Sequence, residues 1–334
     1  MRYTSLFSGI EAASVAWLPL GWKPLAFSEI EPFPKAVLAN HYPNIPDLGD
    51  ITKIDWSPYV NSADIVVGGS PCQSFSVAGS RTGLDGASGL MWEYVRAVQA
   101  IRPEWFVWEN VPGALSSSHG EDFRCLLASM DELGYGLAWR VLDAQFYGVA
   151  QRRRRVFLVG HLGDQRAAEV LFEPESLCWD TPSSREKRET LTRGTASDAG
   201  ITVGSVWYAS DSGSNSAVGK DIAPTITVHD SRSASYVVRM RSGKPGGGKG
   251  ALVSKELSLT IATGNDQTLF ASRAARRLTP RECERLQGFP DDWTDIPYRG
   301  KPHAPDSVRY KALGNSMAVP VMQWIGRRIK EASS

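Results

Sequence analysis

Cys72 has the surroundings of a nucleophile. It lies in Gly68-Gly69-Ser70-Pro71-Cys72-Gln73-Ser74-Phe75-Ser76, directly after the apolar run Ile65-Val66-Val67. Such a run reads as a central strand of a parallel sheet, and open α/β folds bind ligands at the C-terminal edge of that sheet. The glycines let a backbone or a ligand come close. A structural free cysteine is the commoner fate of a thiol, and the strand-end setting argues for the reactive one. A carboxylate, Glu109, ends a second apolar run, Trp105-Phe106-Val107-Trp108, and leads into Asn110-Val111-Pro112. Desolvation there raises a carboxyl pKa, as a proton donor working near neutral pH requires. The same glutamate would also suit a turn cap or an arginine partner. Third, Gln151-Arg152-Arg153-Arg154-Arg155 precedes Val156-Phe157-Leu158-Val159. Strand alternation sends Arg153 and Arg155 to one face, where they can converge on a site, and Arg152 and Arg154 to the other. A phosphate-binding or simply solvated surface is the alternative use of such a run.

The elements that must position these groups follow from pattern. Residues 3 to 7 read as a first strand, followed by Ser8-Gly9-Ile10-Glu11-Ala12-Ala13 and an apolar helix to about Trp17. Strand, tight turn and helix form the opening unit of a nucleotide-type fold, although the turn is not G-x-G-x-x-G. Glu29 follows a second strand, Leu25-Ala26-Phe27, at the distance where an acid in such folds accepts ribose hydroxyls. Asp50-Ile51 follows the next segment. Helices over 91 to 100 and 121 to 133 alternate with strands up to about residue 161, the pattern of a parallel sheet. From 174 to about 195 the chain turns polar. Residues 196 to 272 are rich in Gly, Ser and Thr, with short β-branched segments at 222 to 228 and 257 to 261, and read as a small, irregular β-rich domain. Residues 239 to 250 combine glycines with Arg239, Arg241, Lys244 and Lys249, which suits a loop entering a DNA groove and equally a linker. Thr279-Pro280-Arg281-Glu282 is a capping box with proline at the first helical position. In the last helix Val321, Met322, Ile325 and Ile329 form one core stripe.

Composition bounds this picture without selecting it. A chain of 334 residues with 42% apolar content can bury a large core and divide into domains. Lys plus Arg number 37 and Asp plus Glu 36, so any DNA face must be local, at 152 to 155, in the 239 to 250 loop and at 273 to 277. Four cysteines without metal-ligand spacing point to a reducing cytoplasm, with neither disulfides nor a metal site expected. No apolar run is long enough to span a membrane.

In order from Phe7 to Asn315, the chain resembles the cytosine-5 DNA methyltransferase family of bacterial and phage type. The resemblance rests on Phe7-Ser8-Gly9, Pro71-Cys72-Gln73, Glu109-Asn110-Val111, Gln151-x-Arg153-x-Arg155, Leu278-Thr279-Pro280-Arg281-Glu282-Cys283 with Gln287-Gly288-Phe289-Pro290, and Gly314-Asn315-Ser316. Residues from about 162 to 272 fall outside it, where the family keeps its variable recognition region. Where the family's first turn is commonly richer in glycine, this chain has Glu11 and Ala12.

The resemblance implies a doubly wound, mostly parallel α/β sheet over residues 1–175, binding S-adenosylmethionine. It implies a target-recognition domain over 176–272 and a return segment over 273–334 that completes the first domain. By the same resemblance Cys72, with Gln73 beside it, is the nucleophile, Glu109 hydrogen-bonds or protonates the ring at N3, and Asn110 holds the loop. Arg155 and Arg153 bind the pyrimidine oxygen and orient Glu109. The base that removes the carbon 5 proton is a water or a side chain. Cofactor contacts fall on Phe7, Ser8, Gly9, Ile10, Glu11, Glu29, Ile30, Asp50, Ile51, Pro71, Leu90, Asn315 and Ser316. DNA contacts fall on Ser76, Gln151, Arg239, Arg241, Lys244, Lys249 and Thr260, and the glycine-rich stretch 74 to 90 suits a loop closing over double-stranded DNA. A cytoplasmic monomer in a restriction-modification system is expected. The alternatives are an RNA cytosine-5 methyltransferase on the same motifs and a catalytically silent DNA-binding module. The second of these has no need of Cys72, Glu109 and Arg155 together.

Overall fold

The computed structural model describes residues 1–71, 89–172, 236–239, 252–255, 257–261, 263, 267–271 and 274–334. Cys72, Gln73, Ser76, Arg241, Lys244, Lys249, Arg273, the 74 to 88 stretch and the 222 to 228 segment lie outside the described residues.

The first half alternates strand and helix: β1 (Arg2–Leu6), α1 (Ala12–Trp17), β2 (Lys23–Ser28), α2 (Pro32–His41), β3 (Ile65–Gly68), α3 (Gly89–Ile101), β4 (Trp105–Asn110), α4 (Glu121–Glu132), β5 (Tyr135–Asp143), β6 (Arg154–Leu162) and α5 (Ala167–Leu171). The strands form one sheet in the order β2-β1-β3-β4-β6-β5. Pairing is parallel from β2 through β4, and β6 runs antiparallel to both of its neighbours.

Period-two alternation divides each central strand between two cores. Tyr3, Val67, Val107 and Val159 face one side with α1, α5 and the last helix, while Leu6, Val66, Phe106 and Leu158 face the other with α3 and α4. Strands buried on both faces explain why β3 and β4 read as unbroken apolar runs. The chain switches direction at β1, which has β2 on one side and β3 on the other. The crevice beyond the C-terminal ends of β1 and β3 is therefore the expected ligand position of a doubly wound sheet.

A second, antiparallel sheet has the order β10-β9-β7-β8, built from β7 (Tyr236–Arg239), β8 (Leu252–Lys255), β9 (Gln267–Ala271) and β10 (Ala274–Arg277). Leu257 to Ile261 is not one of its strands. That segment runs extended beside 150 to 152, with Ser258 N donating to Ala150 O and Arg152 N to Ser258 O, both at 2.9 Å.

The remaining helices are α6 (Pro280–Gln287), α7 (Asp306–Asn315) and α8 (Val319–Ala332). Both halves of the capping box at Thr279 and Glu282 are formed, so α6 starts where its sequence signals. Helix α8 lays Val321, Met322, Ile325 and Ile329 into the core. It docks on α1, where the Trp17 indole donates to Met322 O at 2.8 Å. At Gly326 an added Cβ would sit 2.5 Å from that indole nitrogen. Gly326→Leu is thus expected to overpack this joint and cost about 1–3 kcal/mol. A thermal melt should show the midpoint falling by several degrees, and an unchanged midpoint would contradict this packing.

Candidate active site

Beyond the end of β3 the chain must pass close to two neighbouring strands. A Cβ on Gly68 would lie 2.5 Å from Leu6 O, and one on Gly69 would lie 2.8 Å from Glu109 O and 3.0 Å from Glu109 Oε2. Only glycine fits at such separations, so the turn leading to Pro71 is packed against the tip of β4. Asn110 Nδ2 then donates to Ser70 O at 2.9 Å, its Oδ1 accepts from Val111 N at 2.9 Å, and the Trp108 indole donates to Ser70 Oγ at 3.3 Å. These bonds fix the residues immediately ahead of Cys72.

Glu109 is buried, with Oε1 3.1 Å from Arg155 Nε. Among the described residues Oε1 accepts no aligned hydrogen bond, so it keeps an acceptor position open. Burial pushes the Glu109 pKa above the ordinary carboxyl value, and the charges of Arg155 and Arg153 oppose the rise. Arg153 and Arg155 share a face as strand alternation requires, with the neighbouring Arg152 and Arg154 exposed. Arg153 is 2% exposed and donates from Nη2 to Gly314 O at 3.1 Å and Ser316 O at 2.6 Å. Its Nε and Nη1 have no partner among the described residues. Burial and the neighbouring Arg155 lower its pKa to about 9.

The loop from β1 to α1 carries left-handed backbone at Phe7, Gly9 and Glu11. Glu29 holds it from one side. Its Oε2 accepts from Gly9 N at 2.7 Å, while Oε1 accepts from Ile30 N and Glu31 N at 2.8 Å each. Ser8 Oγ donates to Ser5 O at 2.9 Å and accepts from Ser28 N at 3.1 Å. Next to Glu29, Ile30 is 63% exposed, an apolar side chain left uncovered beside an acid. Asp50 caps a short turn by accepting from Thr52 N at 3.1 Å, and Arg96 Nη2 clamps that turn through Ile51 O at 2.8 Å. Phe7 and Leu90 are half-buried, and Pro71 and Asn315 are exposed. An exposed apolar face flanked by carboxylates fits an adenosine with hydroxyls to bind and a cationic sulfonium to balance.

Four other residues expected at the cofactor are buried. Ile10 is fully buried, and its carbonyl accepts from the Trp293 indole at 3.0 Å. Ile51 packs in the core beside Leu6. Glu11 is 1% exposed; its carboxylate accepts from Ser5 Oγ at 2.8 Å and from Ser14 N and Oγ at 3.0 Å, capping α1. Ser316, also expected there, is buried, with its carbonyl held by Arg153.

Gln151, expected at DNA, is fully buried. Its Nε2 donates to Leu286 O at 2.8 Å and its Oε1 accepts from Ile261 N at 3.2 Å, so its amide braces three chain segments. Thr260 donates from Oγ1 to Arg152 O at 2.8 Å. Arg239 closes β7. Within the basic run at 273 to 277, Arg276 is engaged by Glu282 at 2.6 Å, and Arg277 is exposed. Among the described residues no group of three or more His, Cys, Asp or Glu could hold a metal, and no helix is long and apolar enough to cross a membrane. Sequence reasoning missed Gln267 and Trp293. Trp293 stacks on His41 with ring centroids 3.6 Å apart while holding Ile10, and its only sequence signal is its place just after Phe289-Pro290.

The sheet and its crevice are those of a methyltransferase. A solved structure of the S. pombe Dnmt2 methyltransferase shares the fold with a TM-score of 0.64 at 16% identity, over 99% of both chains. The chain belongs to the C-5 cytosine-specific DNA methylase family, whose model matches residues 1–331. A relative from Escherichia phage P1, named a DNA N-6-adenine-methyltransferase, is 34% identical over 99% of this chain; this chain spans only 61% of that protein. The type II methyltransferase M2.BsuMI of Bacillus subtilis is 28% identical over 99% of this chain and 76% of its own. Family membership implies S-adenosylmethionine as the methyl donor.

The buried Glu11 has a consequence for stability. Unfolded, it ionises near the ordinary value of 4.5; folded, burial holds its proton up to about pH 7, against the pull of its serine bonds. The raised folded pKa adds stability that is fully present below pH 4.5 and is lost as pH rises to about 7, in total about 3 kcal/mol. Glu11→Gln keeps the cap and removes this titration. Its melting midpoint should gain on the wild type by several degrees between pH 5 and pH 8, and parallel curves would refute the assignment.

Proposed function

We propose that this chain transfers a methyl group from S-adenosylmethionine to carbon 5 of a cytosine swung out of duplex DNA, through a covalent adduct at Cys72. The carrying observation is the absence of room for a Cβ at Gly69, which brings the chain leading to Cys72 against the Glu109 carboxylate beside Arg155. Carbon 5 of cytosine is a weak nucleophile, and addition of a thiolate at carbon 6 pushes electrons into the ring. Glu109 is suited to meet N3. Its raised pKa favours the protonated form, and Oε1, 3.1 Å from Arg155 Nε, accepts no aligned hydrogen bond among the described residues. Arg155, and the unpartnered donors of Arg153, suit the pyrimidine oxygen, whose charge grows as the thiolate adds. S-adenosylmethionine supplies the methyl group when bound. Glu29 and Ile30 are our candidates for its ribose and adenine, with Asp50, Phe7, Pro71 and Leu90 around them. Loss of the carbon 5 proton to a water or a side chain then lets the thiolate leave.

Base access supports duplex DNA with a flipped target, since carbon 6 is hidden in the stack and extrusion costs a few kcal/mol. The second sheet beside the arginine strand is our candidate for sequence recognition, with Arg239, Arg241, Lys244, Lys249, Thr260 and Ser76 as DNA contacts. A cytoplasmic monomer is consistent with this reading. The P1 relative's name raises a second reading, methylation of adenine N6, in which an exocyclic amine attacks directly and no thiol is needed.

Nucleoside mass spectrometry after incubation with duplex DNA or RNA and the donor separates these readings. We expect 5-methyldeoxycytidine from duplex DNA, lost to background in Cys72→Ala while donor binding survives. N6-methyladenine, or a product from RNA alone, would overturn the proposal. A duplex carrying 5-fluorocytosine at the target should trap a denaturation-stable complex through Cys72. Glu109→Gln should slow transfer by about 10²–10⁴-fold. The wild-type rate should fall as pH rises through the Glu109 pKa, and a variant that retained this alkaline limb would show that another group causes it.

A further inference from the structure

Gln267, the first residue of β9, is 1% exposed and spends its whole amide on three consecutive residues. Oε1 accepts from Ser258 Oγ at 2.9 Å and Leu259 N at 3.0 Å, while Nε2 donates to Leu259 O at 3.0 Å and Thr260 O at 3.2 Å. A side-chain amide offers two donors and two acceptor positions, and here all four face this segment, with the single Ser258 hydroxyl proton shared between Gln267 Oε1 and Leu259 O, so the backbone from Ser258 to Thr260 is held relative to the second sheet.

The other edge of that segment is bonded to the arginine strand. Ser258 N donates to Ala150 O and Arg152 N to Ser258 O at 2.9 Å; Thr260 Oγ1 donates to Arg152 O at 2.8 Å and Ile261 N to Gln151 Oε1 at 3.2 Å. The same extended stretch carries Arg153 and Arg155, and Arg155 reaches Glu109 at 3.1 Å. Hydrogen bonds thus lead from β9 to residues 150–152, and the chain from there carries Arg155 to its ion pair with the candidate catalytic carboxylate, with one buried side chain at the origin.

We infer that Gln267 is a positioning residue that couples the second sheet to the catalytic arginine strand, so that seating the correct DNA sequence on that sheet aligns Arg155 and Glu109. This rests on the reading of the chain as a DNA cytosine methyltransferase. Among the described residues the Gln267 side chain bonds to Ser258, Leu259 and Thr260, and to neither Glu109, Arg153 nor Arg155. A merely structural amide would change the melting temperature and the fraction of folded protein. It would leave the rate per folded molecule and the discrimination between DNA sequences where they were.

The test uses the full chain with its preferred duplex, found by sequencing the DNA that the wild type methylates, and a duplex changed at one base beside the target. Single-turnover methyl transfer is measured on pre-bound DNA and normalised to donor-binding sites. Gln267→Leu is expected to slow transfer on the preferred duplex by about tenfold and to narrow the preferred-to-changed ratio by a similar factor, with donor affinity within about twofold. Gln267→Glu keeps the acceptor at Oε1 but sets a second oxygen against Leu259 O and Thr260 O, and should slow transfer at least as much as leucine. Should the leucine variant not fold, Ser258→Ala decides, removing the hydroxyl bond to Gln267 Oε1. Variants that match the wild type in rate per site and in discrimination, even with lowered melting temperatures, overturn the coupling. A wild type that methylates no cytosine in any duplex sinks the functional reading itself, a different outcome from wild-type-like variants.

Discussion

The structure turns on a contact in which there is no space for one methyl group. Gly69 lies so close to the tip of β4 that a Cβ would meet both the carbonyl and the carboxylate of Glu109. Everything around the candidate site follows from holding that turn down. Asn110 bonds back to Ser70, the Trp108 indole reaches the Ser70 hydroxyl, and Gly68 packs on Leu6 O across the β1–β3 junction. The closeness that brings the chain toward Cys72 also buries Glu109 and lifts its pKa. Two arginines on one face balance that carboxylate, and Arg153 is itself so buried that its pKa drops to about 9. Burying these charges together is expensive in stability and would be a poor way to hold a fold. Preorganised donors and acceptors of perturbed pKa are what a charge-developing reaction uses.

The return of the chain after the second sheet locks this arrangement. Arg153 holds the carbonyls of Gly314 and Ser316, Gln151 holds Leu286, and Gln287 donates to Leu313 O at 2.7 Å. Behind them, buried Glu284 accepts from Thr294 N at 2.9 Å and pairs with Arg309 at 3.2 Å, binding α6, α7 and the loop between them into one unit. That unit presents Trp293 to the carbonyl of Ile10 at the start of α1. The loop between β1 and α1 is therefore supported from behind by residues nearly three hundred positions later in the chain.

Much of this was legible in the sequence because it depends on period and local chemistry. The runs at 65–67 and 105–108 announced strands buried on both faces, alternation placed Arg153 and Arg155 together, and the Thr279–Glu282 box marked the start of α6. The inward turns of Ile10 and Ile51 were not legible, since a side chain's direction in a tight loop depends on what packs behind it. For Ile10 that is Trp293, and for Ile51 it is the core beside Leu6. The burial of Gln151 was hidden for the same reason. A glutamine ahead of four arginines reads as a DNA contact until its two partners, Leu286 and Ile261, are known.

Glu11 shows how such a loop tolerates departure from glycine. A left-handed conformation at a residue with a Cβ costs about 1–2 kcal/mol, and Glu11 has φ 66°. The cost is offset where the carboxylate caps α1 through Ser14 N, a contribution of about 1 kcal/mol, and ties Ser14 and Ser5 into one buried cluster with Tyr3. A glycine there would leave the loop free to move, whereas the capped glutamate holds it in one shape before any ligand arrives. Glu29 does the same from the opposite side through Gly9 N. Two carboxylates thus fix the turn between β1 and α1, and a cofactor entering the crevice meets a surface whose ordering cost was already met during folding.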